Sequence, residues 1–396
     1  MRSFASYNTK GHDESLGRLF SAFLILNILN LTIKQSINIS FITNNLSLLL
    51  GLVYIMCLFH ERRYVLRAIN KILVLEVLFA VLLMISVFRY PSVSNVIIKR
   101  CLWTLLFCIP LYAMSLKVTN RMIVIEKTKK ASFIVVVCVF LMFASYIINR
   151  GGTDYNMSMG YAILYPALYH LSKTYMNRWY WILVVLELVI ILVYGSRGPL
   201  LCFGVFFILF FVFRDGKNRS LYRLAALAAL LFFLIIFFLF SNHILSFIAM
   251  IISHFGIQSR TLNMLLNSRI ALHGTREVIW RQTWVHILEK PLFGWGIAGE
   301  LSYMVSYPHL VFLELLLHYG VVVGLPVCIS IVYRIIVNLI RTKMCDIPIL
   351  ILLCSGFVPL LLSDTYLNMP SFWILLAFCS NTGTRIYMGR YGRGSI

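Results

Sequence analysis

The chain has 396 residues, of which 60% are apolar and only 12% charged. Soluble domains average about 25% charged residues and roughly 45–50% apolar ones, so this composition excludes a water-soluble globule. Lys and Arg total 35 against 14 Asp and Glu, a formal net charge of +21. In a soluble protein that excess would point to nucleic acid. Here the charges fall between apolar runs and topology explains them, so no nucleic-acid partner is expected. The nine cysteines lie almost entirely inside apolar runs without a Cys-x-x-Cys pair, and read as small core residues, with neither a disulfide framework nor a zinc site.

A membrane-crossing helix needs roughly 20 mostly apolar residues, because each adds about 1.5 Å across a hydrocarbon core about 30 Å thick. The segments 16–33, 41–59, 72–88, 96–116, 131–148, 157–171, 179–194, 198–213, 221–240, 320–340, 347–362 and 370–384 approach that requirement. The predicted fold is therefore an all-α, polytopic integral membrane protein with about 12 transmembrane helices. Asn27, Asn30 and Lys34 offer no small-residue cleavage pattern, so the first segment reads as a span and not as a signal peptide. Basic loops resist translocation. With both termini in the cytoplasm, 23 of the 35 Lys and Arg residues face the cytosol, which sets the orientation. The spacing divides the chain into spans 1–9 over residues 1–240, an outer-face subdomain over 241–319, and spans 10–12 with a cytoplasmic tail over 320–396. No tandem or inverted repeat of the kind found in secondary transporters is evident.

The outer loop between the ninth and tenth spans holds Arg260, Arg269, Arg276, Arg281 and Lys290 against Glu277, Glu289 and Glu300. Topology gives no reason for an outer loop to be basic, and an anionic substrate is the simplest cause. Arg197 stands in Tyr194-Gly195-Ser196-Arg197-Gly198-Pro199, where two apolar segments meet at the same face. Its flanking glycines permit a tight turn and close ligand approach, and its charge serves either an interfacial anchor or an anion. Arg276 follows Thr275, a good helix cap, in a predicted helix that Pro291 and Gly294 terminate after about four turns. There it can place a phosphate beside the N-terminal amides. Trp280 and Trp284 share a face of that helix and suit interfacial packing. His309, after Pro308 where the loop re-enters the membrane, is either structural or a proton acceptor with an ordinary pKa of about 6.5. Glu314 is expected in a buried hydrogen bond to a neighbouring helix, and His318 reads as structural. Glu76, Glu187 and Arg334 are expected to pair between helices.

Three elements then occur in order: Gly-Ser-Arg-Gly at 195–198, Gly-x-Arg-x-x-x-Trp with Lys-Pro-Leu-Phe-Gly-x-Gly at 274–296, and Pro-His-x-x-x-Leu-Glu with a later Gly-x-x-x-Gly at 308–324. Together they resemble the superfamily of O-antigen ligases and Wzy-type O-antigen polymerases. The resemblance implies a GT-C-like membrane glycosyltransferase of the bacterial inner membrane, independent of metal and without cofactor. Its donor would be an undecaprenyl pyrophosphate-linked oligosaccharide on the periplasmic side. Arg197, Arg276 and His309 match the positions the family uses for catalysis. Apart from the resemblance, Arg260, Arg269 and Arg281 of the basic loop are candidate substrate-binding residues for the pyrophosphate or the glycan, with a solvated loop face as the alternative for at least one of them. Membrane lipid and a polysaccharide chain-length regulator are the implied partners. Polymerase is preferred because Leu362-Ser363-Asp364-Thr365-Tyr366-Leu367-Asn368-Met369-Pro370-Ser371-Phe372-Trp373 looks like the start of the final span of polymerases, together with Tyr-Gly-Ser-Arg-Gly at 194–198. The alternatives are an O-antigen ligase acting on lipid A-core and, from another class, a flippase or transporter of lipid-linked sugars.

Overall fold

The computed structural model describes residues 2–36, 40–149, 157–193, 197–212, 275–304, 307–342 and 345–381. The described residues are helical and contain no strand. The first ten helices are α1 (Arg2–Ser36), α2 (Ser40–His60), α3 (Arg62–Arg89), α4 (Ser94–Trp103), α5 (Ile109–Ser115), α6 (Arg121–Lys127), α7 (Lys129–Asn149), α8 (Met157–Lys173), α9 (Tyr180–Val193) and α10 (Arg197–Val212). After the stretch outside the described residues come α11 (Thr275–Glu289), α12 (Val311–Arg341), α13 (Ile347–Leu352), α14 (Val358–Leu362) and α15 (Pro370–Ser380). A π turn joins α4 to α5 and another joins α13 to α14, so each pair runs on as one rod.

Four helical stretches are long and apolar enough to cross a membrane: Thr9–Lys34, Arg62–Arg89, Pro91–Ser115 and Val311–Arg341. Shorter apolar helices cover Leu48–His60, Tyr180–Leu192, Gly198–Phe211, Ile347–Leu362 and Pro370–Ser380. Every expected span has a helix beneath it except 221–240, which lies outside the described residues together with Arg260 and Arg269. The outer surface of the bundle is itself apolar. Along α3, Val74, Val77, Val81 and Phe88 are all more than half exposed, as lipid-facing side chains are. The nine cysteines are free thiols.

Charged groups gather at the two ends of α1, roughly 30 Å apart at the helical rise. At one end Asp13 accepts from the backbone N–H of Thr119 and Asn120, Arg18 grips Glu61 and Arg121 meets Asp346 at 2.6 Å. At the other end stand Asn27, Asn30 and Lys34, facing Lys99 and Arg100 of α4 across a cavity. Glu187 also meets His170 at 2.7 Å across two helices and Arg334 donates to Ser380, pairings expected of charges inside an apolar bundle.

One helix is broken on purpose. α12 is interrupted at Gly320, whose φ of 66° and ψ of −172° leave the helical region. A break strands carbonyls before it and N–H groups after it, and the segment Pro291–Gly296 supplies partners for both. Trp295 and Gly296 donate to the carbonyls of Leu317 and His318 at 2.8 and 2.9 Å. Val321 and Val322 donate to those of Pro291 and Leu292 at 2.7 and 3.2 Å. Backbones this close leave no room for side chains. A Cβ on Gly294 (φ 68°) would stand 2.6 Å from the Leu317 carbonyl oxygen, and one on Gly320 would overlap that of Leu292. The Lys-Pro-Leu-Phe-Gly-x-Gly run is thus a clamp on a broken helix. The expected tenth span starts at this break; ahead of it, Val311–Tyr319 forms a separate helical piece.

Candidate active site

Pro308 suits the first turn of a helix, which would put His309 within that turn. In the structure α12 begins two residues later, at Val311, and His309 takes a left-handed conformation with φ 58°. This conformation is disfavoured for a residue with a Cβ and persists only where its surroundings hold it. The restraints are visible. Trp280 of α11 donates its indole N–H to the carbonyl of Pro308 at 2.9 Å. His309 Nδ1 lies 3.1 Å from the carbonyl oxygen of Ser363, and Tyr307 donates its hydroxyl to the same oxygen at 2.8 Å. The Tyr307 and His309 rings lie against each other, their centroids 4.3 Å apart. A carbonyl only accepts, so Nδ1 carries the proton and Nε2 is the basic nitrogen. Trp280, expected to pack at the interface, here anchors the histidine loop.

Burial lowers the imidazole pKa. The bond to Ser363 works to raise it, and the charges of Arg276 and Arg100 lower it further. His309 is therefore neutral at neutral pH, the state a general base requires. Arg276, exposed in the first turn of α11, acts electrostatically on both His309 and Tyr161. The structure thus brings two of the three expected catalytic residues together. Arg197 is the first residue of α10, and its neighbour Gly198 ties that helix end to the same place. A Cβ on Gly198 would strike the Tyr161 hydroxyl, which accepts from Ser363 Oγ at 2.7 Å. Arg281 is exposed farther along α11.

Behind His309 lies a buried polar network that sequence reading missed. Arg100 stacks over Tyr307, 4.6 Å from the ring centroid, and reaches Glu300 at 3.3 Å. Glu300 meets His318 Nε2 at 2.8 Å, and His318 Nδ1 meets the Tyr366 hydroxyl at 2.8 Å. Glu314 accepts from Thr365, so its buried bond reaches the residue that caps the short turn Tyr366–Asn368 and not, as expected, a neighbouring helix. Burial works to raise the Glu300 pKa, but His318 and Arg100 outweigh it and hold the carboxyl below its ordinary value. Glu300, Glu314 and His318 have the donor chemistry of a divalent-cation site, their ligand atoms all within 4.8 Å of one another. Asp364, next to Ser363, has its pKa pushed up to about 6 by burial, against its bond to the Thr365 N–H and the charge of Arg100. Two signals pointed toward these residues. Lys99-Arg100 is a basic pair at a span end assigned to the outer face, and Asp364 is a carboxylate inside the stretch Leu362–Trp373.

The fold and this cluster define an integral membrane protein with a polar, cationic centre held at one end of a helical bundle. Residues 182–328 match the family model described as O-antigen ligase. The match takes in Arg197, Arg276, His309, Glu314 and the clamp, and it supports the superfamily of O-antigen ligases and polymerases, whose members are glycosyltransferase-like enzymes. No curated protein and no solved structure matches the chain.

Proposed function

We propose that the protein is a polymerase of O-antigen or a related surface polysaccharide, joining undecaprenyl pyrophosphate-linked repeat units on the periplasmic face of the bacterial inner membrane. The observation that carries this reading is the imidazole of His309, fixed by Ser363 with Nε2 basic and with Arg276 close by. Nε2 takes the proton from a hydroxyl of the acceptor sugar. The hydroxyl oxygen bonds to the anomeric carbon of the donor glycan as the bond from that carbon to the phosphate oxygen breaks. The electron pair leaves on undecaprenyl pyrophosphate, whose new charge Arg197 and Arg276 stabilise. Two guanidinium groups supply what a metal supplies in other transferases, so the mechanism is metal-independent. Arg260, Arg269 and Arg281 belong to substrate binding, and a chain-length regulator is the expected protein partner.

General base catalysis contributes roughly 100- to 10,000-fold, and one preorganised charge-stabilising donor about 3 to 4 kcal/mol. The test is glycan elongation by the purified protein in detergent with lipid-linked repeat units, abolished in His309→Ala. A flippase needs a sealed membrane and gives no product in this mixture. A ligase uses the same chemistry on another acceptor. Cells lacking a polymerase make lipopolysaccharide with a single repeat unit, whereas cells lacking a ligase leave the core bare. Core with no repeat unit would overturn the polymerase reading.

A further inference from the structure

A cavity of about 340 Å³ opens between α1, α4, α8 and the segment 363–371, within the size range of small-molecule sites. It adjoins the proposed base: Tyr307 and Ser363, which hold His309, are part of its wall, and so is Tyr161, which meets the head of α10. Its lining is unusual for the interior of an apolar bundle. Asn27 and Asn30 project from α1, Asn368 and Asp364 come from the opposite segment, and Trp103 and Arg100 come from α4. Asn30 is 9% exposed, and its amide oxygen has no hydrogen-bond partner among the described residues. Such an orphan costs stability unless a ligand group completes it. Packing alone gives no reason to keep three amides and a carboxylate here.

We infer that this cavity is the subsite for the acceptor's terminal sugar, with Asn30, Asp364 and Asn368 contacting its hydroxyls. The inference rests on the transferase reading above. Amides donate and accept, and a carboxylate accepts twice, which matches the paired donor and acceptor character of vicinal hydroxyls. Trp103 offers an apolar face for the ring's C–H side. Lys34, Lys99 and Arg100 line the cavity together with the single carboxylate of Asp364, a balance that favours a neutral or acidic sugar over a cationic one. A sugar seated here presents its hydroxyl toward the loop of Tyr307 and Ser363, where the imidazole is held. Tyr161, shared by the cavity wall and the head of α10, separates this subsite from the donor diphosphate.

The test uses the full-length protein in detergent and two readouts. The first is calorimetric binding of the lipid-free repeat-unit oligosaccharide, released by mild acid from the organism's own lipid-linked precursor. The second is elongation kinetics with donor and acceptor varied separately. Asn30→Leu fills the cavity side of α1, and Asn368→Ala changes an exposed turn that tolerates substitution. Each is expected to weaken oligosaccharide binding and raise the acceptor KM about tenfold, the loss of one hydrogen bond to the sugar, with the donor KM as internal reference. An acceptor KM equal to wild type in both variants, or a KM raised equally for donor and acceptor, overturns the subsite. Oligosaccharide binding by wild type that both variants lose, in a preparation that neither elongates glycan nor cleaves the donor, supports the subsite and refutes the transferase reading.

Discussion

Replacing Gly294 with Ala tests the clamp on the broken helix. The new Cβ would stand 2.6 Å from the Leu317 carbonyl oxygen and 2.7 Å from the Gly320 nitrogen and the His318 carbonyl carbon. All three are backbone atoms, so the Pro291–Gly296 segment must move away. The left-handed φ of 68° adds about 1–2 kcal/mol for a residue with a Cβ. Moving the segment weakens at least the two bonds that flank position 294, from Trp295 and Gly296, at about 1 kcal/mol each. The total is about 3 to 4 kcal/mol, within the upper tail of single substitutions. Gly320→Ala attacks the same junction from the other side. Once either variant has opened the clamp, the other has little left to break, so the double variant should fall well short of additivity. The assay is thermal unfolding of wild type, both single variants and the double variant in one detergent, with elongation activity measured in parallel. Single variants that keep wild-type Tm and activity, or single losses that simply add, would refute the clamp.

The pH profile gives a second expectation. Because burial and the nearby arginines lower the His309 pKa, kcat/KM should be flat at neutral pH and fall only below the ordinary imidazole value of about 6.5. Arg276→Gln should reduce the rate about 100- to 1,000-fold and move that acidic limb to higher pH; a limb that stays put would place Arg276 away from His309. Stability follows the same sign: between the folded value and 6.5 the unfolded chain binds the extra proton, so acidification through that window destabilises the fold. Arg100→Met leaves the buried Glu300 carboxylate with His318 alone and should cost about 1.5–3 kcal/mol, part of it restored by adding Glu300→Gln; equal Tm losses in the single and double variants would sink the pairing. Elongation should survive EDTA. Loss on chelation, restored by a divalent cation, would assign Glu300, Glu314 and His318 to a metal.

Much of the helical scaffold was legible in the sequence, because apolar run length and the helix stop at Pro291 and Gly294 are local properties. Thr275–Glu289 came out as expected, at about four turns, because Pro291 and Gly294, which end it, lie next to it in the chain. Arg276 and His309 stood out for a related reason: charge and imidazole beside apolar runs are conspicuous in one dimension. What surrounds them was not legible. Arg100 and Glu300 are 200 residues apart, and Tyr161 and Ser363 are 202 apart. No periodicity encodes such pairs; only packing of α4, α8, α12 and the segment 363–369 creates them. The left-handed turn at His309 was equally invisible, since Pro308 permits a helix start and only the bonds from Trp280, Tyr307 and the imidazole itself favour the alternative. The sequence by itself determined that this chain crosses a membrane and carries cations and a histidine beside its apolar runs. Tertiary structure decided which nitrogen of that histidine is basic, which charges bear on it, and which cavity adjoins the residues that hold it, because those depend on distances between segments that the chain's order leaves free.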